Sequence, residues 1–349
     1  MGWQALGLLL AVAACGHPAT GESRPPATPA SDESAGTSLA ASVPAPPERH
    51  PREAPEPRPR KSVPLRFELN GRAFPLPLVH GTVGGEPVWM LVDTGANSHV
   101  IAGWVARKQH LPMRPLGEIG SDHAGRAMNA YAVLHARTAI DGWGPIDVGA
   151  TVVADVPEPI EKMGIGAFVS PQALVGERTD GEAIVLDLAH HEMHTAPWEQ
   201  AVRSLDARPG LNVANIGAEH ARLCEDDSTP IRGLAFVLPA AVSGRPVWLL
   251  LDTGAHHTDL LTTSRAGAAL TAQSSASSEA MYAASGLVRT RVVHDAHVKL
   301  GSWAVTTDVD LVPGTADRSC PRDGALSMDV LAKCALVVGR KALLGRCGP

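Results

Sequence analysis

Two aspartates in this chain stand in the same local sequence, Asp93-Thr94-Gly95-Ala96 and Asp252-Thr253-Gly254-Ala255, 159 positions apart. Ten of the fifteen residues from Thr82 to Ala96 recur at that displacement: Val83, Gly85, Pro87, Val88, Trp89, Leu91, Asp93, Thr94, Gly95 and Ala96. Each aspartate closes a continuous apolar run, Val88 to Val92 in one copy and Val247 to Leu251 in the other. The glycine lets the chain turn sharply and brings backbone N–H groups to the carboxylate with no Cβ in the way. The threonine offers a hydroxyl that can bind the opposite loop and hold two copies in register. If the loops meet on a pseudo-twofold axis, both carboxylates cannot be ionised at once. The pair then holds one proton, so that one member is acid and the other base.

Such a pair needs two similar scaffolds, and the patterning supplies them. Leu65 to Leu69 alternates as a strand and leads into an Asn70-Gly71 hairpin signal. Thr82 to Val92 reads as strand broken by a turn at Gly84-Gly85, and its last five residues suit a strand buried on both faces. Ser98 to Gln109 starts as strand and ends as a short helix. Strands are expected at Met128 to Ile140, Ile146 to Val156 and Ala183 to Leu188. The second half repeats the order, with strands at Leu287 to Val293, Val305 to Leu311 and Ala335 to Val338, and with Trp143 and Trp303 in equivalent hairpins. A repeat of this length predicts two similar lobes, each mostly β.

With their apolar leaders, the two Asp-Thr-Gly-Ala loops resemble the active-site loops of retropepsin-like aspartic proteases. A second feature of that family, an apolar pair plus glycine in a ψ-shaped loop behind the catalytic one, is matched by Gly164-Ile165-Gly166. In the second half Ala325-Leu326-Ser327 matches it with serine in place of glycine. The resemblance spans about Leu65 to Ala189 and Ile231 to Leu344. It implies a mostly β fold, two homologous retropepsin-like β-barrel lobes in tandem with pepsin-like bilobal architecture. It also implies an aspartic endopeptidase in which water held between Asp93 and Asp252 attacks a peptide carbonyl, with no metal, cofactor or covalent intermediate. Thr94, Gly95, Ala96, Thr253, Gly254 and Ala255 would support the two loops. An extended peptide would be the substrate, covered by glycine-tipped hairpins for which Gly125 and Gly286 are the candidates. With both aspartates on one chain, a monomer suffices. Ala96 and Ala255 lack the hydroxyl that pepsin-like enzymes carry there, which implies a less acidic optimum.

A rival reading keeps the fold and drops the chemistry: a lipid-anchored peptide-binding protein with a degenerate cleft. Its grounds are Ser327 and His256-His257, where the family commonly has smaller residues. A metal site at His190-His191-Glu192-Met193-His194 is disfavoured, because the sequence is not HExxH and follows a strand rather than lying on a helix.

The rest of the chain bounds location and organisation. Residues 1–15 resemble a bacterial lipoprotein signal peptide, an apolar run ending in Val12-Ala13-Ala14-Cys15, with Cys15 as the lipidated residue. Residues 16–64 are rich in proline, with 12 between His17 and Pro64, and read as a disordered tether. The lobes are placed at 65–225 and 226–349. These features predict lipid anchoring in a bacterial cell envelope, at the outer membrane or on its periplasmic face, where Cys224, Cys320, Cys334 and Cys347 can pair in any of three ways. A net charge of −6 argues against a nucleic-acid partner.

Overall fold

The computed structural model describes residues 7–9, 60–121, 127–146, 149–176, 181–207, 221–226, 233–283, 286–314 and 320–348. The expected lipidation residue Cys15, the flap candidate Gly125 and nearly all of the expected tether lie outside them.

The chain is mostly β, and its described residues form three sheets. The first lobe is a ten-stranded sheet built on the hairpin of Arg72–Val83 and Glu86–Val92, turned at Gly84 and Gly85, both with positive φ. Arg66–Leu69 joins it through Asn70 (φ 53°) and Gly71 (φ 75°), the left-handed pair that an Asn-Gly hairpin requires. The second lobe is a nine-stranded sheet built on the corresponding hairpin of Gly233–Val242 and Arg245–Leu251. A short strand, Gly7–Leu9, lies parallel to Met281–Ala283 at its edge. The apolar leaders are buried strand interiors: Met90, Leu91, Val92, Leu249, Leu250 and Leu251 are all 1% exposed or less.

One parallel pairing in each lobe positions the site. Glu86–Val92 runs beside Ile165–Val169 with Val92 opposite Val169, and Arg245–Leu251 runs beside Gly324–Leu326 with Leu251 opposite Leu326. This register makes Phe168-Val169-Ser170 the counterpart of Ala325-Leu326-Ser327, which corrects the assignment of Gly164-Ile165-Gly166. Gly166 is instead the extra residue of a register shift between Ile165 and Ala167. A Cβ there would stand 2.5 Å from Val88 Cγ1 and 2.7 Å from Val105 Cγ2, so packing accounts for the glycine. Serine follows the apolar pair in both lobes, so Ser327 is no peculiarity of the second.

The third sheet ties the lobes together. Its five strands are Ser62–Pro64, Glu192–Pro197, Glu182–Asp187, Cys334–Val338 and Leu343–Cys347, in that spatial order. Ile184 pairs with Val338 and Leu186 with Leu336 across its middle, so strands from both halves share one ladder. Two boundaries move as a result. Ser62–Pro64 pairs with Glu192–His194, so the fold begins before the expected end of the tether at 64. Arg222–Asp226 pairs throughout with Gly233–Val237, so residues 222–225 belong to the second lobe rather than the first.

Disulfides join Cys224 to Cys320 and Cys334 to Cys347. The histidines of 190–194 separate. His190 bonds Asp187 through Nδ1, His191 turns the chain at φ 57° with its ring on Phe67, and His194 is buried in its strand.

Candidate active site

Each aspartate is held where its strand ends and its loop begins. Asp93 N–H donates to Val169 O at 2.9 Å, and Asp252 N–H to Leu326 O at 3.0 Å, so the parallel ladder is continued by one bond. The loop then folds back on its own carboxylate. Gly95 N–H and Ala96 N–H both donate to Asp93 Oδ1, at 2.8 and 3.0 Å, and Gly254 N–H donates to Asp252 Oδ1 at 2.8 Å. One oxygen of each carboxylate is thereby fixed, which sets the orientation of the other.

The threonines lock the two loops across the pseudo-twofold axis. Thr94 N–H donates to Thr253 Oγ1 and Thr253 N–H to Thr94 Oγ1, both at 3.0 Å. The hydroxyls pass their protons on into the opposite strands, Thr94 Oγ1 to Leu251 O at 2.9 Å and Thr253 Oγ1 to Val92 O at 2.7 Å. Four bonds cross between the lobes in a reciprocal pattern. Valine in place of either threonine would leave buried backbone groups without partners.

The glycines measure how closely the halves approach. A Cβ built on Gly95 would stand 2.6 Å from Asp252 Oδ1, and one built on Gly254 would stand 2.6 Å from Asp93 Oδ1. Real Cβ atoms do not come so near, so each glycine is the space its partner's carboxylate occupies. Asp93 and Asp252 are both 0% exposed. Burial pushes the Asp93 carboxyl well above the ordinary carboxylate range, and the charge of Asp252 and a hydrogen bond with it push it further. The bonds from Ala96 and Gly95 oppose this without cancelling it. The pair therefore keeps a proton that isolated aspartates would have lost.

Behind each loop lies a second set of contacts, and here the lobes differ. In the first lobe His99 Nδ1 accepts from Ser170 N–H at 3.0 Å, and Gln172 Nε2 donates to Thr94 O at 2.6 Å. In the second, Thr258 Oγ1 accepts from Ser327 N–H at 3.1 Å and donates to Asp329 Oδ1 at 2.7 Å. Asp329 also takes Thr258 N–H and, through Oδ2, the Thr307 hydroxyl. Asp310, opposite Asp259 on the neighbouring strand, is raised to about 6 by burial, with Asp259 and Asp329 adding and His257 and Thr290 subtracting. Sequence reasoning missed His99, Gln172, Thr258 and Asp329. The one available signal was that His99 and Thr258 each stand six residues past their aspartate.

The remaining candidates are placed as follows. Ala96 and Ala255 are fully buried under the loops. Gly286 opens a strand and pairs with Ala283 in the hairpin of Ser275–Ala283 and Gly286–Leu300. The corresponding first-lobe hairpin, Met113–Ser121 with Ala127–Leu134, carries Gly125 in the stretch outside the described residues. His256 and His257 are half-buried beside the second loop with ring centroids 4.1 Å apart, and burial, with His257 adding, lowers His256 to about 4. Among the described residues no three His, Cys, Asp or Glu side chains form a group fit to hold a metal ion.

The sequence profile of a family described as aspartyl protease matches residues 79–169 and 238–330, once per lobe and together more than half of the chain. A comparison with curated proteins gives no match. Among solved structures, the aspartic proteinase from Irpex lacteus is similar at 10% identity, with 83% of this chain and 98% of that one covered and a TM-score of 0.47. That likeness is too distant to bear on the site.

Proposed function

This chain belongs to the aspartyl protease family, and on that premise we propose that it is an endopeptidase whose catalytic pair is Asp93 and Asp252. The observation that carries the proposal is the reciprocal threonine lock, which sets each aspartate against the glycine of the opposite loop. Water held between the carboxyls loses a proton to the ionised one and attacks the peptide carbonyl. The other carboxyl gives its proton to the carbonyl oxygen, and the amide nitrogen is protonated as the C–N bond breaks. The proton belongs to the pair rather than to either residue. The raised pKa of the Asp93 carboxyl and loops without a hydroxyl at Ala96 and Ala255 favour an optimum less acidic than that of pepsin-like enzymes. The substrate in this reading is an extended peptide, gripped under the hairpin that begins again at Gly286, and the chain works as a monomer.

The reading of a binding protein with a degenerate cleft loses one of its two grounds, since Ser170 stands in the first lobe where Ser327 stands in the second. Its other ground, His256-His257, stands beside the second loop, where the His256 carbonyl accepts from Asp329 N–H at 2.9 Å. For location, the lipobox-like sequence ending at Cys15 supports export and lipid anchoring in a bacterial envelope, with the proline-rich segment as a tether. In that case the pairing of Gly7–Leu9 with Met281–Ala283 exists only before cleavage.

The test is incubation of the full-length protein with a peptide library from pH 3 to 8, with and without a statine-type transition-state mimic. Cleavage that peaks between about pH 4 and 6 and is blocked by the mimic is expected. Binding without cleavage at any pH would favour the degenerate cleft, and a peak confined to strong acid would contradict the role given to Ala96 and Ala255.

A further inference from the structure

We infer that His99 is a positioning residue that sets an acid limit on the first lobe's catalytic loop, a limit that the corresponding contact of the second lobe, made by a hydroxyl, does not impose. The inference rests, for its activity arm, on the endopeptidase reading above.

The lever is short. Ser170 N–H donates to His99 Nδ1 at 3.0 Å, and the residue before Ser170 is Val169, whose carbonyl holds Asp93 N–H at 2.9 Å. His99 therefore holds the N–H of the same peptide group whose carbonyl holds the catalytic aspartate. An imidazole that accepts through Nδ1 is the neutral tautomer with its proton on Nε2. Protonating Nδ1 turns the acceptor into a donor facing a donor, and the bond to Ser170 is lost.

Its surroundings oppose the charge as well. His99 is 7% exposed, and Nε2 has no hydrogen-bond partner among the described residues. The strands Val100–Ala102, Ile165–Val169 and Gly233–Val242 and the helix Pro171–Gly176 carry no titratable side chain. On its own loop the titratable group is Asp93, and no charged group offsets the burial, which lowers His99 to about 4. In the second lobe the same N–H, that of Ser327, is held by the hydroxyl of Thr258, which does not titrate. The titratable groups behind it are Asp329, which accepts that hydroxyl's proton, and beyond it Asp310 and His257. Burial raises Asp329 and Asp310, which keeps them protonated towards acid.

The experiment compares kcat/KM against pH, from 3 to 7, for the wild type, His99→Gln and His99→Thr. Glutamine can accept from Ser170 without titrating, and threonine is the residue the second lobe uses. With each profile scaled to its own maximum, the acid limb of the variants should lie about one pH unit or more below that of the wild type. Superimposable acid limbs would overturn the inference. Two measurements keep it testable apart from activity. The fall in melting temperature of the wild type between pH 6.5 and 4 should be smaller in His99→Gln. In the wild-type protein, the ring nitrogens of His99 should report the Nε2–H tautomer at pH 5.5 and charge only near pH 4. A His99 that charges near 6.5 would refute the inference even if both variants failed to fold. A wild type that cleaves no peptide would sink the endopeptidase reading and leave these two measurements standing.

Discussion

At the aspartate N–H, the glycine N–H and the threonines the two loops mirror each other bond for bond; behind those loops the lobes use different chemistry. The first lobe holds its ψ-loop N–H with a buried imidazole, the second with a hydroxyl backed by Asp329. The difference separates two kinds of constraint. Contacts that cross the pseudo-twofold axis are reciprocal, so a change in one copy damages both. Contacts behind a loop are private to one lobe and free to diverge, provided the same N–H is held.

The groups that diverge behind the loops respond oppositely to pH. His99 is lowered to about 4, below its ordinary value, so the unfolded chain binds its proton first. Its contribution to stability is full above about pH 6.5 and is lost as pH falls towards 4. Asp310 and Asp329 are raised, chiefly by burial, so the folded state binds their protons first. Their contribution is full below the ordinary carboxylate value near 4 and is lost as pH rises, for Asp310 through about 6. His99 and the Asp310–Asp329 pair thus favour opposite ends of a window between roughly pH 4 and 6.5.

The largest effect should come from the part where the lobes are alike. Gly95→Ala and Gly254→Ala each push a methyl into the opposite carboxylate, and each should lower kcat/KM by roughly 10²-fold or more and destabilise the fold by about 1–3 kcal/mol. Unequal losses would break the symmetry of the pair. Next come Thr94→Val and Thr253→Val, expected to destabilise by about 1–3 kcal/mol each in urea, because each strands a buried N–H and a buried carbonyl. The double variant should cost less than the sum, since both substitutions break one network. Strict additivity would mean the lock is not cooperative. Smallest is Asp310→Asn, which should flatten the stability loss between pH 4 and 7 by about 2 kcal/mol while leaving the acid side unchanged. A flattening on the acid side instead would reverse the sign argued for the second lobe.

Much of this could be read in the sequence because it is local. The Asn70-Gly71 turn, the buried leaders and the repeated aspartates follow from residue type and spacing. The ψ-loop of the first lobe was misplaced by four residues because Gly164 and Gly166 imitate its glycine pattern, whereas Gly166 is small only to clear Val88 and Val105. The serines that occupy the position lie 77 residues past Asp93 and 75 past Asp252, a difference that hides their equivalence from any fixed displacement. The sheet joining the lobes was equally hidden. Its strands were visible, but the partnership of Ile184 with Val338 depends on packing between halves rather than on either segment. His99 looked like any other histidine, since only its buried setting makes Nδ1 an acceptor.

The central claim is that one proton is shared by two aspartates from different lobes. Its most direct test is kcat/KM across pH for Asp93→Asn and Asp252→Asn, each measured beside the wild type on one peptide. Both variants should fall by roughly 10²–10⁴-fold at every pH while remaining folded, because neither carboxyl can act as acid and base alone. Activity that survives either substitution would contradict the account.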